Sequence, residues 1–182
     1  MKDELKELKN CIGQQAKVRG FGHKKGMIYR RVGDNFVFCN YIMQKAEFIY
    51  RVEVKDYCYD TILWDVMGEF KGRKFADSFR VEGAFTAPSL LVAKGCISFT
   101  LSDDVNAAAA SILDELEMQM KSAYAMDCDA YVLNRWNEFS GTPLLPLALV
   151  HSGNFEEAAK LCLNHTSDFY SRLALYLEIK MG

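Results

Sequence analysis

Hydrophobic residues recur at helical spacing near the start of the chain. They fall three or four positions apart and so share one face of a helix predicted over residues 3–19: Leu5, Leu8, Ile12 and Ala16. Gly20 follows at the point where the helix is expected to end, because glycine adopts a left-handed conformation at little cost. Phe21 is then expected to fold back onto the last helical turn.

The pattern changes to strands after residue 26. Three short segments are rich in β-branched and aromatic residues: 27–32 (MIYRRV), 36–43 (FVFCNYIM) and 48–54 (FIYRVEV). The last of them alternates, which predicts one buried face and one face in contact with water. Because the connections are short, the three strands are predicted to form an antiparallel meander.

The middle of the chain is harder to assign. Residues 58–76 fit either a strand or a short helix that leads into a loop. Residues 78–85 (SFRVEGAF) alternate like a strand, and residues 86–95 contain Pro88 and are predicted to be a connection. Residues 96–101 (CISFTL) are the last predicted strand.

The C-terminal part shows helical patterns throughout. Ser102, Asp103 and Asp104 predict a helix start, and that helix runs to about Tyr124. Four more helices are predicted at 128–139, 144–153, 154–165 and 167–180. The predicted fold class is therefore α+β: an N-terminal helix on an antiparallel sheet of about five strands, followed by an all-helical C-terminal region. We expect residues 1–101 and 102–182 to be two parts of one compact unit.

Several short motifs suggest a family. They are a charged helix, Gly20-Phe21, Lys24-Lys25-Gly26, Tyr29-Arg30 at the start of the sheet, and the tail segment HSGNFEEAAKLC at 151–162. Together they resemble a family of small bacterial proteins known only as a domain of unknown function. The resemblance covers about the first 55 residues and about 20 near the end, whereas residues 56–100 have no counterpart. It implies the fold outline given above and brings no activity and no catalytic residues.

Charge is unevenly distributed along the chain. Residues 1–60 carry 12 Lys or Arg against 8 Asp or Glu, whereas residues 101–182 carry 5 against 12. No acid lies between Cys11 and Gly33, and this stretch holds five candidate binding residues: His23, Lys24, Lys25, Arg30 and Arg31. They predict either a site for an anionic ligand or an ordinary basic surface.

Cysteine and histidine spacing bears on metal and nucleophile chemistry. The six cysteines are single, and the charged start MKDELKELKN does not look like a secretion signal, so reduced thiols and a cytoplasmic location are expected. The three histidines share no ligand spacing, so neither a metal site nor a cofactor is predicted. A pair of Cys58 with His23 or His151 stays open as a nucleophile and base, although no nucleophile motif accompanies it.

Three acids surround Trp64: Asp60, Asp65 and Glu69. A buried acid beside a tryptophan can donate a proton during hydrolysis. Surface acids that flank one packed tryptophan are the simpler interpretation, and the one we prefer.

The functional hypotheses follow from these patterns. The leading one is a cytoplasmic, non-enzymatic module that binds a protein partner, like an immunity or adaptor protein, because catalytic motifs are missing and the tail resembles one tetratricopeptide-type helix pair. The first alternative is a binder of a phosphate-bearing ligand or nucleic acid through residues 17–31. The second is a hydrolase that uses the acids near Trp64. No apolar run reaches the roughly 18 residues of a spanning helix, so no membrane contact is expected, and the oligomeric state stays open.

Overall fold

The structure is a computed structural model that describes residues 2–69, 76–81, 86–100 and 104–182. In chain order its elements are α1 (Lys2–Val18), β1 (Gly22–Lys24), β2 (Met27–Val32), β3 (Asn35–Gln44), β4 (Glu47–Asp56), α2 (Tyr57–Met67), α3 (Ser78–Val81), β5 (Leu90–Ser98), α4 (Val105–Tyr124), α5 (Cys128–Leu133), α6 (Trp136–Phe139), α7 (Leu144–His151), α8 (Phe155–Leu163) and α9 (Asp168–Met181). The predicted α+β class is confirmed: an N-terminal helix, a five-stranded antiparallel sheet and a helical C-terminal region.

The chain divides into two compact units, and each unit is built from two segments. Unit 1 comprises Met1–Val54 and Leu90–Met126, and unit 2 comprises Lys55–Ser89 and Asp127–Gly182. The sequence suggested a single division after residue 101. The structure instead places the last two residues of β4, together with α2 and α3, in the same unit as α5 to α9.

Unit 1 contains the sheet, whose strands follow the order β1-β2-β3-β4-β5. β1 with β2, β2 with β3 and β4 with β5 pair antiparallel, with Met27 opposite Asn40 and Glu47 opposite Ser98. As predicted, alternate residues of β4 are buried: Phe48, Tyr50, Val52 and Val54. Arg51, on the opposite face, is exposed. Helix α4 packs on β3 and β5, and α1 packs on α4 and β1.

The end of α1 has the predicted form. Leu8, Ile12 and Ala16 are fully buried, as the helical spacing requires. Gly20 adopts φ 80°, and the backbone N–H of the buried Phe21 donates to the carbonyl of Ala16 at 2.9 Å. This hydrogen bond closes the helix by satisfying a carbonyl of its last turn.

The predictions for the middle of the chain need correction. Residues 78–81 form the short helix α3 and not a strand, while 82–85 lie outside the described residues. The first part of the segment 58–76 belongs to the helix α2, which ends at Met67, and 70–75 lie outside the described residues. β5 begins at Leu90, within the predicted connection 86–95. β1 was not predicted at all. Ser102 and Asp103 also lie outside the described residues, but Asp104 caps α4 by accepting from the N–H of Ala107 at 3.0 Å.

Unit 2 is organised around buried charges as well as apolar helix faces. The Lys55 ammonium donates to Asp60 Oδ1 at 2.8 Å and to the carbonyls of Arg80 and Ala87 at 2.7 and 3.1 Å. The Arg80 guanidinium lies 3.4 Å from Asp60 Oδ2 and stacks on the rings of Tyr57 and Trp64. These contacts hold the start of α2, helix α3 and the segment around Ala87 together.

The same contacts bear on the prediction that the acids near Trp64 lie at the surface. Asp60 is fully buried, so the preferred interpretation of these acids as surface groups is wrong for this residue. Asp65 is half-buried and Glu69 is exposed. Asp60 is thus held inside the unit by Lys55 and Arg80, whereas Glu69 faces solvent.

None of the helices in the described part of the chain is both long and apolar enough to cross a membrane. All six cysteines are described and are free thiols. Cys39 and Cys128 are buried and Cys96 is exposed.

Candidate metal centre

Two chemically active side chains lie at the start of α2. The strand β4 ends at Asp56, and α2 begins at the next residue. Asp56 keeps an extended backbone conformation, and its Oδ1 accepts a hydrogen bond from the N–H of Cys58 at 2.7 Å. Aspartate is favoured at this capping position because it satisfies a helix N–H that has no partner within the helix. The cap places the Asp56 carboxylate beside the Cys58 thiol.

A histidine from the other segment of unit 2 reaches the same place. His151 is the last residue of α7, and its Nδ1 lies 2.8 Å from Asp129 Oδ2. The Tyr59 hydroxyl donates to the second oxygen, Asp129 Oδ1, at 2.7 Å. Asp129 is therefore held at both oxygens, and the orientation of the His151 ring is fixed with Nε2 only 3.7 Å from Asp56 Oδ1.

The hydroxyl of Tyr59 stays a donor over the physiological pH range. Burial raises the pKa of Tyr59 strongly, and the hydrogen bond to Asp129 and its negative charge raise it further. The Tyr59 ring also lies edge-on to the His151 ring, with centroids 5.9 Å apart. Tyr59, Asp129 and His151 thus form a chain of fixed contacts behind the imidazole.

Asp56, Cys58 and His151 together have the composition of a metal site. Each offers one ligand atom, and these three atoms lie within 4.8 Å of one another. Two ligands of a tetrahedral Zn²⁺ stand about 3.5 Å apart, given Zn–ligand bonds of roughly 2.0–2.3 Å. The Asp56–His151 distance of 3.7 Å already fits this geometry. A carboxylate bonded to the remote nitrogen of a histidine ligand, as Asp129 is here, is the usual second support of such sites.

The electrostatic field around the cluster is negative. Burial is the main cause that raises the pKa of the neighbouring Cys128 to about 12, and the charges of Asp56, Asp129 and Asp127 add to the effect. Asp56, one of these carboxylates, accepts from the N–H of Cys58 and lies beside its thiol. A negative field disfavours a bare thiolate and favours a bound cation, which pairs with the thiolate and with Asp56.

The Cys58–His151 pair left open by the sequence is therefore present, with Asp129 as a third member. A cysteine nucleophile needs a base, a group that orients the base, and donors for the developing oxyanion. The N–H of Cys58 is the obvious donor, and it is already bonded to Asp56. With this donor engaged and a carboxylate beside the thiol, the arrangement suits metal ligation better than nucleophilic attack. His23, the other proposed partner of Cys58, belongs to unit 1.

The sequence-predicted basic residues do not form one site. Arg30 bonds to the carbonyl of Arg19 and lies 3.6 Å from Glu117, and its guanidinium stacks on Phe21. Arg31 is the next residue along β2 and so lies on the opposite face, where its Nε donates to the carbonyl of Gly33 at 2.9 Å.

The remaining members of that set lie on β1 and in the turn that follows it. Lys24 is the last residue of β1, and Lys25 occupies the turn to β2 with φ 46°. His23 is bonded through Nε2 to the Tyr41 hydroxyl at 2.8 Å. This end of β2 is the one away from Arg30 and Arg31, since Lys24 pairs with Met27.

No protein-family model, curated protein or solved structure matches the chain. The resemblance to a family of small bacterial proteins therefore stays a prediction. The sequence did contain one signal for the cluster: an aspartate two residues before a cysteine, at the junction of a strand and a helix. Histidine spacing does not reveal the cluster, because His151 and Asp129 come from a distant segment of the chain.

Proposed function

We propose that unit 2 binds a divalent transition-metal ion through Asp56, Cys58 and His151, with Zn²⁺ as the ion that suits these ligands best. The observation that carries the proposal is the convergence of three different ligand atoms within 4.8 Å, with Asp129 fixing the histidine. Thiolate, imidazole and carboxylate are the ligands zinc takes in proteins. Three protein ligands leave the fourth position to water or to a further ligand atom.

The bound ion would join the two segments of unit 2. Asp56 and Cys58 belong to the segment Lys55–Ser89, and His151 belongs to Asp127–Gly182. An ion that binds the folded chain and not the unfolded chain stabilises the fold by an amount set by its concentration and affinity. We infer a structural or regulatory role for the metal, in a cytoplasmic protein whose thiols stay reduced.

A zinc titration tests this proposal. The purified chain is stripped with a chelator, and Zn²⁺ is added in competition with a colorimetric zinc indicator. We expect one ion per chain for the wild type, and at least a tenfold loss of affinity in Cys58→Ser and in His151→Ala.

Two substitutions of the same residue types serve as matched controls. Cys96→Ser changes an exposed cysteine of β5, and His165→Gln changes a histidine that stacks on Tyr170. Both should bind zinc as the wild type does. Equal affinity in Cys58→Ser and the wild type would rule out the proposed ligand set.

Binding of a protein partner is a second candidate function, and it is favoured by one surface of unit 2. Leu175 and Ile179 stand one turn apart on α9 and are 61% and 81% exposed. With Val66 and Tyr176 they line an apolar groove bordered by Arg172 and Lys180. A helix that is apolar on its outer face as well as its buried face often has a partner.

A pull-down with two baits tests the partner hypothesis. The wild type should recover one stoichiometric protein from its native host, and the double variant Leu175→Asp/Ile179→Asp should lose it. Recovery of the same protein by both baits would argue against this groove as the binding surface.

A further inference from the structure

Unit 1 contains a groove between α1 and β1 with an unusual lining. Its volume is about 280 Å³. The charged groups that line it are positive, and its other polar groups include two side-chain amides. The lining residues are Lys9, Asn10, Gly13, Gln14, Lys17 and His23.

Gly13 explains why the groove has this shape. A Cβ atom at this position would lie 2.7 Å from His23 Nδ1, so the imidazole can rest against α1 only because residue 13 has no side chain. The Tyr41 hydroxyl holds the other ring nitrogen at 2.8 Å. His23 therefore forms a fixed wall of the groove. The charge of Lys17 is close enough to the ring to add to the effect of burial in lowering the pKa of His23.

The neighbouring arginines lie beside acidic side chains, whereas most polar side chains that line the groove do not. Arg19 lies 2.6 Å from Asp114, and Arg30 lies 3.6 Å from Glu117, so these cations are neutralised within unit 1. Within the described residues, by contrast, four lining side chains form no hydrogen bond and no ion pair: Lys9, Asn10, Gln14 and Lys17. Two ammonium groups and two amide groups are thus available to one ligand.

We propose that this groove binds the phosphate group of a small ligand through Lys9, Lys17, Asn10 and Gln14. Phosphate oxygens accept hydrogen bonds from ammonium and amide groups and are stabilised by both positive charges. A nucleic-acid strand would need a continuous row of cations along its backbone. The row is interrupted here, because Asp114 and Glu117 of α4 accompany Arg19 and Arg30. This inference does not depend on the metal site, which lies in the other unit.

Isothermal titration of the full chain with inorganic phosphate tests the inference. The wild type should show saturable binding, and Lys9→Ala/Lys17→Ala should weaken it at least tenfold. Lys24→Ala/Lys25→Ala removes the same charge at the site suggested by the sequence and should leave the affinity within twofold of the wild type. Circular dichroism should show that both double variants remain folded.

Three results would overturn the inference. The first is no saturable phosphate binding by the wild type. The second is an equal loss of affinity in the two double variants, which would show a general charge effect. The third is tighter binding of a single-stranded oligonucleotide than of phosphate with no loss in Lys9→Ala/Lys17→Ala, which would place the anion contacts elsewhere.

Discussion

At the scale of single residues, three buried charged side chains of unit 2 lie against partners of opposite charge. Lys55, Asp60 and Arg80 have 1%, 0% and 3% of their side chains exposed. The Lys55 ammonium donates to Asp60 Oδ1 and to the backbone carbonyls of Arg80 and Ala87. Removal of one member would leave a charge without compensation in a medium of low polarity, which costs far more than the loss of a surface pair.

Lys55→Met tests this at one position. The substitution keeps the length of the side chain but removes the ammonium group from Asp60, which keeps its contacts with Arg80 and with the N–H of Ala87. We expect the free energy of unfolding to fall by about 3–5 kcal/mol, measured by urea denaturation. Lys160→Met is the matched control, because the Lys160–Glu157 pair is 65% and 50% exposed and its loss should change the free energy of unfolding much less. Similar losses in the two variants would contradict the assignment of Lys55 to a buried network.

His23 makes the stability of unit 1 depend on pH. Burial, followed by the charge of Lys17, lowers the pKa of His23 below its ordinary value of 6.5. As pH falls, the unfolded chain therefore binds a proton at His23 at a higher pH than the folded chain does. The contribution of the neutral His23 to stability is lost as pH falls below about 6.5. NMR titration should give a His23 midpoint below 6.5, and His23→Gln should reduce the loss of stability between pH 7 and 5. A midpoint at or above 6.5 would contradict this account.

At the scale of elements, helix ends bring the metal-binding groups together. Asp56 caps the start of α2, Asp129 lies in the first turn of α5, and His151 ends α7. Acids near a helix start and a histidine near a helix end both complement the helix dipole. The capping preference of each residue is local, but the meeting of the three ends depends on how α2, α5 and α7 pack.

The end of α1 offers a test of a single backbone conformation. Among the described residues, a Cβ atom at Gly20 would meet only Arg30 Nη2 at 3.6 Å, an ordinary contact, so the cost of Gly20→Ala comes from φ 80°. We expect a loss of about 1–2 kcal/mol in the free energy of unfolding. Gly141→Ala is the control: no described residue lies within 4 Å of a Cβ atom there and its φ is not positive, so stability should change by less than about 0.5 kcal/mol. Urea denaturation that finds no difference between the two variants would argue against a left-handed Gly20.

Strong local periodicity explains which elements could be predicted. The helical spacing of α1 and α4 is visible within a short stretch of sequence, and so are the apolar runs of β2, β3 and β4. These elements can therefore be predicted from the sequence. The segment 78–81 alternates like a strand, yet it is helical, with Arg80 drawn to Asp60 twenty residues earlier. β1 has only three residues and depends on pairing with β2 across the turn at Lys25. Contacts of this kind produce no pattern in the local sequence.

The candidate metal centre shows the same limit. Asp56 at the end of β4 and Cys58 in α2 are only two residues apart, and so close a pair of ligand residues is visible in the sequence. The other contributors are separated from them by about seventy residues or more in the chain: Asp129 and His151. Their convergence follows from tertiary packing. In the basic stretch, closeness in sequence does not bring the side chains together, because Arg30 and Arg31 lie on opposite faces of β2.

At the scale of the whole molecule, the chain passes from unit 1 to unit 2 and back before it ends in unit 2. Each unit therefore depends on contacts between segments that are distant in sequence. In unit 1 the sheet and the packing of α1 on α4 supply them. In unit 2 they come from helix packing, and we propose that a metal ion held by Asp56, Cys58 and His151 adds one more.

The most direct measurement of that central claim is the absorption spectrum of the chain loaded with Co²⁺ in place of zinc. A cobalt ion bound to a thiolate gives an intense charge-transfer band in the near ultraviolet, and a tetrahedral site gives strong visible bands. The account predicts both at one equivalent of Co²⁺, loss of the charge-transfer band in Cys58→Ser, and an unchanged spectrum in Cys96→Ser. A charge-transfer band that persists in Cys58→Ser, or its absence from the wild type, would contradict the account.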